Sequence, residues 1–574
     1  MMSTSRYAFQ SPSASEEKGA YRMRPPRASR AGSNLSHSSE PSSRVHLHVP
    51  YRRTRRLAML VALLACGALA CFVCAYWLFK TRYGYLTLAH TKSEGHDAPH
   101  APYHFPNASH QFNISLDTLD ESDARLNALR TDPATTYLAY LPHSGLHNQR
   151  IALENALTLA YLLNRTLLVP PARLGPKTLR YVRSSTLARM LRLSDKRQGR
   201  GHCARIPQDV PQPDECVDYM AYTFIPWAWL VDLQPLKAQQ GLVQVLNGTA
   251  EWIEEMLDVR RNETLLLHDT EPYQYQFVDT PAPVREGDKY LHTIHVDTLA
   301  AAPQRLIQLG TLFGSSRLRL RKTENRRVRG ERRRHMVFAN AALTFAAAQI
   351  RGTLGGTYVG AHVRVGDGRF QKGTRESVRV IWWKLVWDVL GVNTQMAFEL
   401  EKRISSKIGA DGEDEDGDMG ERPPEMIRPP EIPADVPSLR VPHSPLPPLP
   451  ETFSPKLSCR SPLHTMPGLR RLNVPLFIAT DAPDGLDDSV LAPLIRAFPC
   501  TFTLESFKAE TAHLEGLRNG YDGVRLVGYL APMVDALVMG GAWGVVGTEG
   551  STFSRYVADV LWRVSHGWDI VERG

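Results

Sequence analysis

Residues 137–170 read YLAYLPHSGLHNQRIALENALTLAYLLNRTLLVP, and the fold class follows from this stretch. Tyr137–Leu141 is a short apolar strand, and Pro142–Asn148 is a turn built around Gly145. Gln149–Leu163 is an Ala/Leu-dense helix, and Thr166–Pro170 is a second strand. Two strands joined through a helix lie parallel, because an antiparallel pair is closed by a tight turn instead. The expected class is therefore α/β with a parallel sheet.

The same grammar recurs later. An Ala-rich helix spans Phe338–Ile350, and Gly355-Gly356 introduces a strand over Tyr358–Val363. Further helical pattern covers Ile381–Leu400. Strands follow at Pro475–Asp481 and Trp543–Thr548, and an apolar-periodic helix runs over Arg555–Val564 with Ser551 or Ser554 placed to cap it. Three of these strand ends carry polar groups: His362, Arg364 and Asp367; Thr480 and Asp481; and Thr548 through Ser554. In open α/β sheets ligands collect beyond the carboxyl ends of the strands, so the three segments are expected to converge on one cleft. An arginine there suits a phosphate-bearing ligand.

Outward from these units the chain divides by composition. Residues 1–56 are rich in Ser, Pro, Arg and Gly and read as a disordered tail. Residues 57–79 carry no charge and are long enough to cross a bilayer as one helix. Arg52, Arg53, Arg55 and Arg56 abut that run against only Lys80 and Arg82 beyond it, which puts the N-terminus in the cytosol and the rest in a lumen. Residues 80–130 read as a stem. The length beyond it predicts two domains, 131–335 and 336–574. The second is interrupted at about 405–465 by an acidic, then Pro-rich, insertion whose Asp414-Glu415-Asp416 is solvated low-complexity sequence.

Sequons at Asn107, Asn113, Asn164, Asn247 and Asn262 fit a lumenal chain. Four lumenal cysteines, Cys203, Cys216, Cys459 and Cys500, fit two disulfides in an oxidising compartment, with Cys203–Cys216 and Cys459–Cys500 as the economical pairing. No closely spaced Cys-x-x-Cys pairs supply a zinc site, and no metal is expected. The net charge of +9 owes much to the tail before the span. A second basic cluster over Arg317–Arg334 reads as a solvated face, and without aromatic interleaving it gives no nucleic-acid surface. Trp227 and Trp229 read as buried aromatic anchors. Dinucleotide, P-loop and nucleophile-elbow glycine signatures are absent, which counts against oxidoreductase and ATPase readings and weakens a hydrolase one.

Taken in order, Gly145-Leu146-His147-Asn148-Gln149-Arg150, His362-x-Arg364-x-Gly366-Asp367, Ala479-Thr480-Asp481, Val534-Asp535 and Gly547-Thr548-x-Gly550-Ser551-Thr552-Phe553-Ser554 resemble the eukaryotic O-fucosyltransferase superfamily, particularly its fungal members. The resemblance covers roughly residues 135–570 outside the insertion. It implies a GT-B-like pair of Rossmann-like domains and inverting, metal-independent transfer of fucose from GDP-fucose to a hydroxyl of a protein or glycan. The enzyme would be a type II membrane protein of the Golgi or endoplasmic reticulum and would need no cofactor. Arg364 would contact the donor diphosphate, and His362 would shape the pocket. Asp481 or Asp535 would bind guanine or ribose, Thr548, Ser551, Thr552, Phe553 and Ser554 would surround the phosphates, and Asn148 and Arg150 would line the cleft. Some relatives carry a glutamate just before the first-loop glycine, where this chain has His143 and Ser144. The general base stays open among His143, His147, Asp367 and Glu549. A non-catalytic glycan-binding protein on the same fold, or an enzyme for another nucleotide sugar, are the alternatives.

Overall fold

In the computed structural model the described residues run from 132 to 571, apart from 133, 197–200, 207–209, 212, 272, 282–288, 315, 367, 412–429, 431–442, 451–452 and 454–456. The tail, the 57–79 run, the stem with Asn107 and Asn113, Asp367 and most of the insertion lie outside them. Among the described residues no helix is long and apolar enough to cross a membrane.

The opening unit forms β1 (Tyr137–Ala139), α1 (Leu146–Leu162) and β2 (Thr166–Val169). Ser144 takes a left-handed φ of 64° just ahead of α1, and Asn164 takes one of 51° just after it, where an Asn tolerates that region. With β3 (Leu242–Gln244), β4 (Thr264–Leu267) and β5 (Leu306–Leu309) the strands make a parallel sheet of order β3-β2-β1-β5-β4. Central β1 is buried at all three residues, as its unbroken apolar sequence requires.

A second parallel sheet follows. Asn340 caps α2 (Ala341–Thr353), accepting the Ala342 and Leu343 amides at 3.0 and 3.4 Å. The helix therefore begins after Phe338, whose neighbour across an isolated bridge is Val231. Then come β6 (Val359–Val363), β7 (Leu476–Thr480), β8 (Thr501–Phe502), α3 (Val527–Gly540) and β9 (Gly544–Gly547), with strand order β8-β7-β6-β9. Their register sets His362 opposite both Ala479 and Gly547, and Val363 opposite Thr480. One apolar core runs from Leu138 and Leu153 through Leu343 and Ile350 to Val534 and Trp562, joining α1, α2 and α3. The architecture is mixed α/β with parallel sheets.

Several expectations need correction. The pattern over Ile381–Leu400 is two helices, because Thr374–Trp383 passes through a π turn and ends before Gly391, whose φ is +63°; Thr394–Asp411 then carries helix past the expected start of the insertion. The last helix starts at Thr552, with Ser551 as its N-cap, three residues before the predicted Arg555. The basic cluster is a solvated face only in part: Arg321, Lys322, Arg326, Arg327 and Arg334 are exposed, whereas Arg317, Arg329 and Arg332 are buried. Arg317 is fully enclosed, 2.8 Å from Asp269 and 2.7 Å from the Tyr181 hydroxyl oxygen. A long amphipathic side chain can bury its stem and still satisfy its head, which residue counting does not register.

Both disulfides form as paired above, with Cα separations of 5.4 Å for Cys203–Cys216 and 4.3 Å for Cys459–Cys500. Trp227 is buried and Trp229 half-buried. Asn164 and Asn262 are exposed, whereas the half-buried Asn247 accepts the Thr249 amide at 2.9 Å.

Candidate functional site

The site is built at the carboxyl end of β6. His362 Nδ1 lies 2.7 Å from Ser554 Oγ, and its ring stacks on Phe553 at 4.4 Å. Thr548 donates its amide and its hydroxyl to the His362 carbonyl, each at 3.1 Å, and its hydroxyl oxygen accepts the Arg364 amide at 2.9 Å. Asp481, at the end of neighbouring β7, accepts the Val365 amide at 2.7 Å and the Gly366 amide at 3.0 Å. Its Oδ2 also holds the Arg364 guanidinium at 2.8 Å. One carboxylate thus pins a three-residue loop and aims its cation.

Two glycines are necessary to this packing. A Cβ on Gly366 would fall 2.4 Å from Asp481 Oδ2, and one on Gly547 would fall 2.5 Å from the Ser554 Cβ.

The first turn of α1 arrives from the other sheet. His147 meets Phe553 edge-on at 5.1 Å, and it also contacts Tyr556 at 5.1 Å and Phe338 at 6.5 Å. Neither of its ring nitrogens has a hydrogen-bond partner, nor does the buried Oδ1 of Asn148. Arg150 lies 4.1 Å above the Tyr556 ring and is paired with Glu154. Buried polar atoms are nearly always satisfied, so two adjacent unsatisfied groups beside a charged loop make this turn a candidate for ligand contact.

The remaining candidates separate. His143 is buried, stacked on Tyr181 at 4.7 Å, with Nδ1 2.6 Å from Ser144 Oγ. Glu549 is exposed in the loop after β9. Ser551 spends its hydroxyl oxygen on the Ser554 amide, and Ser554 spends its own on His362, so these serines shape the helix start. Asp481 is a loop clamp before it is anything else, because both oxygens already accept bonds. Asp535 sits inside α3 with a buried, unpartnered Oδ1, and burial raises its carboxyl to about 8. Sequence reasoning missed Tyr556 and Glu154; the first is one helical turn past Phe553, and the second one turn past Arg150, which is the spacing that would have found them. Among the described residues the one His/Cys/acid grouping at metal-ligand distances is His202 with Cys203 and Cys216, and its sulfurs form a disulfide.

Burial sets the protonation of the histidines. It takes His362 down to about 3, with the Arg364 charge adding to the effect, and His143 down to about 4, helped by Arg317. His147 lies well below its usual value, through burial and then the charges of Arg150, His362 and Arg364. All three are neutral at pH 7. Each has a folded value below the unfolded 6.5, so the unfolded chain binds the extra protons and stability falls as pH drops from 6.5 toward 3–4. Asp535 has the opposite sign, losing stability as pH rises from 3.8 to about 8. Three groups outweigh one. Thermal melts of the full chain should therefore fall steeply between pH 6.5 and 4, at a limiting slope of about 1.4 kcal/mol per unit for each unopposed histidine; a flat profile would contradict buried neutral imidazoles.

No protein-family model matches this chain, and no curated protein does. Solved structures that align with it include POFUT1 in complex with GDP, at 12% identity, a TM-score of 0.30, and coverage of 74% of this chain and 94% of that one. POFUT1 in complex with GDP-fucose aligns at 11% identity and a TM-score of 0.30, covering 76% and 95%. A further crystal form with GDP gives 11% and 0.32, covering 76% and 98%. At such TM-scores the likeness decides nothing about this chain.

Proposed function

We propose that this chain is a glycosyltransferase that moves fucose from GDP-fucose to an acceptor hydroxyl, on a GT-B-like pair of Rossmann-like domains anchored by a single type II membrane span in the Golgi or endoplasmic reticulum. One observation carries the reading. A cation, Arg364, is fixed by Asp481 at a strand end, beside a helix turn whose His147 and Asn148 hold buried polar atoms without partners. The ordered motifs from Gly145 to Ser554 supply the donor's identity by resemblance.

The chemistry this supports is a displacement at the anomeric carbon. The acceptor oxygen forms the new bond as the bond from that carbon to phosphate oxygen breaks, with inversion, and the electron pair leaves on GDP. Arg364 and the amides that start the Thr552–Tyr556 helix offer fixed positive charge where negative charge develops. His147, neutral and with both ring nitrogens uncommitted, is the group best prepared to take the hydroxyl proton, and exposed Glu549 is the alternative. A second reading, binding without turnover, draws on the same burial: an imidazole held far below its usual pKa is a weak base.

The test is to offer the full chain GDP-fucose, GDP-mannose and UDP-glucose, with and without chelator, and to record binding and donor hydrolysis. Selective hydrolysis of GDP-fucose that survives chelation is expected. Binding without hydrolysis would favour the non-catalytic reading, and preference for another donor would overturn the fucose assignment. A lumenal orientation would permit glycans at exposed Asn164 and Asn262. Endoglycosidase should shift the secreted-pathway product, less so in Asn164→Gln and Asn262→Gln, and an unshifted wild type would remove the glycan support for this topology.

A further inference from the structure

Beside the Arg364 loop, α1 and the C-terminal helix enclose a solvent-open cleft of about 220 Å³ with an uneven charge. Five cations line it, Arg150, Lys289, Arg329, Arg333 and Arg555, against two carboxylates, Glu154 and Asp559. Glu154 is shared, paired with Arg150 and lying 3.8 Å from Arg333 Nε. Arg150 is only 2% exposed and its Nε has no hydrogen-bond partner. At the rim Lys289 is held 3.6 Å over the Tyr273 ring. A concave wall with this excess attracts an anion and focuses its field into the cleft.

Size and lining narrow the class. At about 220 Å³ the space takes a small molecule rather than a peptide. Tyr273, Phe313 and Tyr556 also line it, giving apolar ring surface among the cations. Thr552 and Tyr556 belong to the helix that presents Phe553 and Ser554 to His362, so an occupant would lie next to the donor loop. We propose that this cleft holds an acidic saccharide, a sugar carrying a carboxylate, as the acceptor or part of it. The acceptor role rests on the glycosyltransferase reading; the binding site does not.

The experiment titrates the full chain with β-D-glucuronosyl-(1→4)-D-glucose and with cellobiose, which differ by one carboxylate, each in the absence and presence of saturating GDP. The acidic disaccharide should bind at least ~10-fold tighter than cellobiose and should still bind with GDP present, a ratio that one desolvated ion pair can supply. Lys289→Glu should weaken the acidic disaccharide by a similar factor while leaving cellobiose unchanged, and Lys289→Arg should restore it. Equal affinity for the two sugars, binding of neither, insensitivity to Lys289→Glu, or displacement by GDP would overturn the proposal, the last because the cleft would then be the donor's own. Titration with GDP alone reports the donor reading separately: failure of GDP with retained acidic-sugar binding would sink that reading and leave this site standing.

Discussion

Arg364→Ala is expected to lower donor turnover by about 10²–10³-fold, the size of effect seen when one fixed electrostatic donor is removed from a developing charge. The fold should survive. Arg364 and Asp481 are 36% and 29% exposed, so their pair is screened and adds little stability. Asp481 would still accept the Val365 and Gly366 amides, holding the loop in place without its cation. The loss should therefore appear in kcat for GDP-fucose hydrolysis more than in GDP affinity, and Arg364→Lys should recover part of it. Asp481→Asn should give a milder but broader defect, since it loosens the loop and the cation together. Near-wild-type hydrolysis by a folded Arg364→Ala protein would remove Arg364 from the chemistry altogether.

What the sequence revealed depended on range. The β1-α1-β2 unit was legible because an apolar strand, an Ala/Leu helix and a second strand each declare themselves over a few neighbouring residues. The strand ends were legible for the same reason: polar groups directly after apolar runs mark where β6, β7 and β9 stop. Roles that depend on a distant partner were not legible. Asp481 reads as a ligand-binding carboxylate, yet it clamps a loop that precedes it by 115 residues. Ser554 reads as a phosphate contact, yet its hydroxyl is taken by His362, 192 positions earlier. Arg317 reads as part of a solvated basic run until Asp269 and Tyr181 close around it. Local pattern encodes elements; the use to which a polar side chain is put is decided by which element lands beside it.

The largest stability effect is expected at a contact of this long-range kind, in a segment whose sequence invites no structural reading. Lys196 and Asp522 form an ion pair at 2.8 Å with both side chains 0% exposed. Lys196 Nζ also donates to the carbonyls of Tyr219, at 2.6 Å, and Tyr222. Asp522 Oδ2 further accepts the Thr223 hydroxyl at 2.9 Å. Around the pair, Asn519 donates to Thr223 Oγ1 and the Phe224 carbonyl, each at 2.7 Å, and the Cys203–Cys216 disulfide packs against Val524 and Tyr529. The segment around Cys203–Cys216 is thereby fastened to the loop that leads into α3. Lys196→Met strands the Asp522 carboxylate in a dry site and should cost about 3–5 kcal/mol, read as a lowered denaturation midpoint and new proteolytic cleavage between 194 and 224. The double variant Lys196→Met with Asp522→Asn should recover much of that loss, because a neutral amide can keep the Thr223 bond without a buried charge. A single variant that melts with the wild type, or a double variant no better than the single, would mean that the pair is not what fastens the two segments.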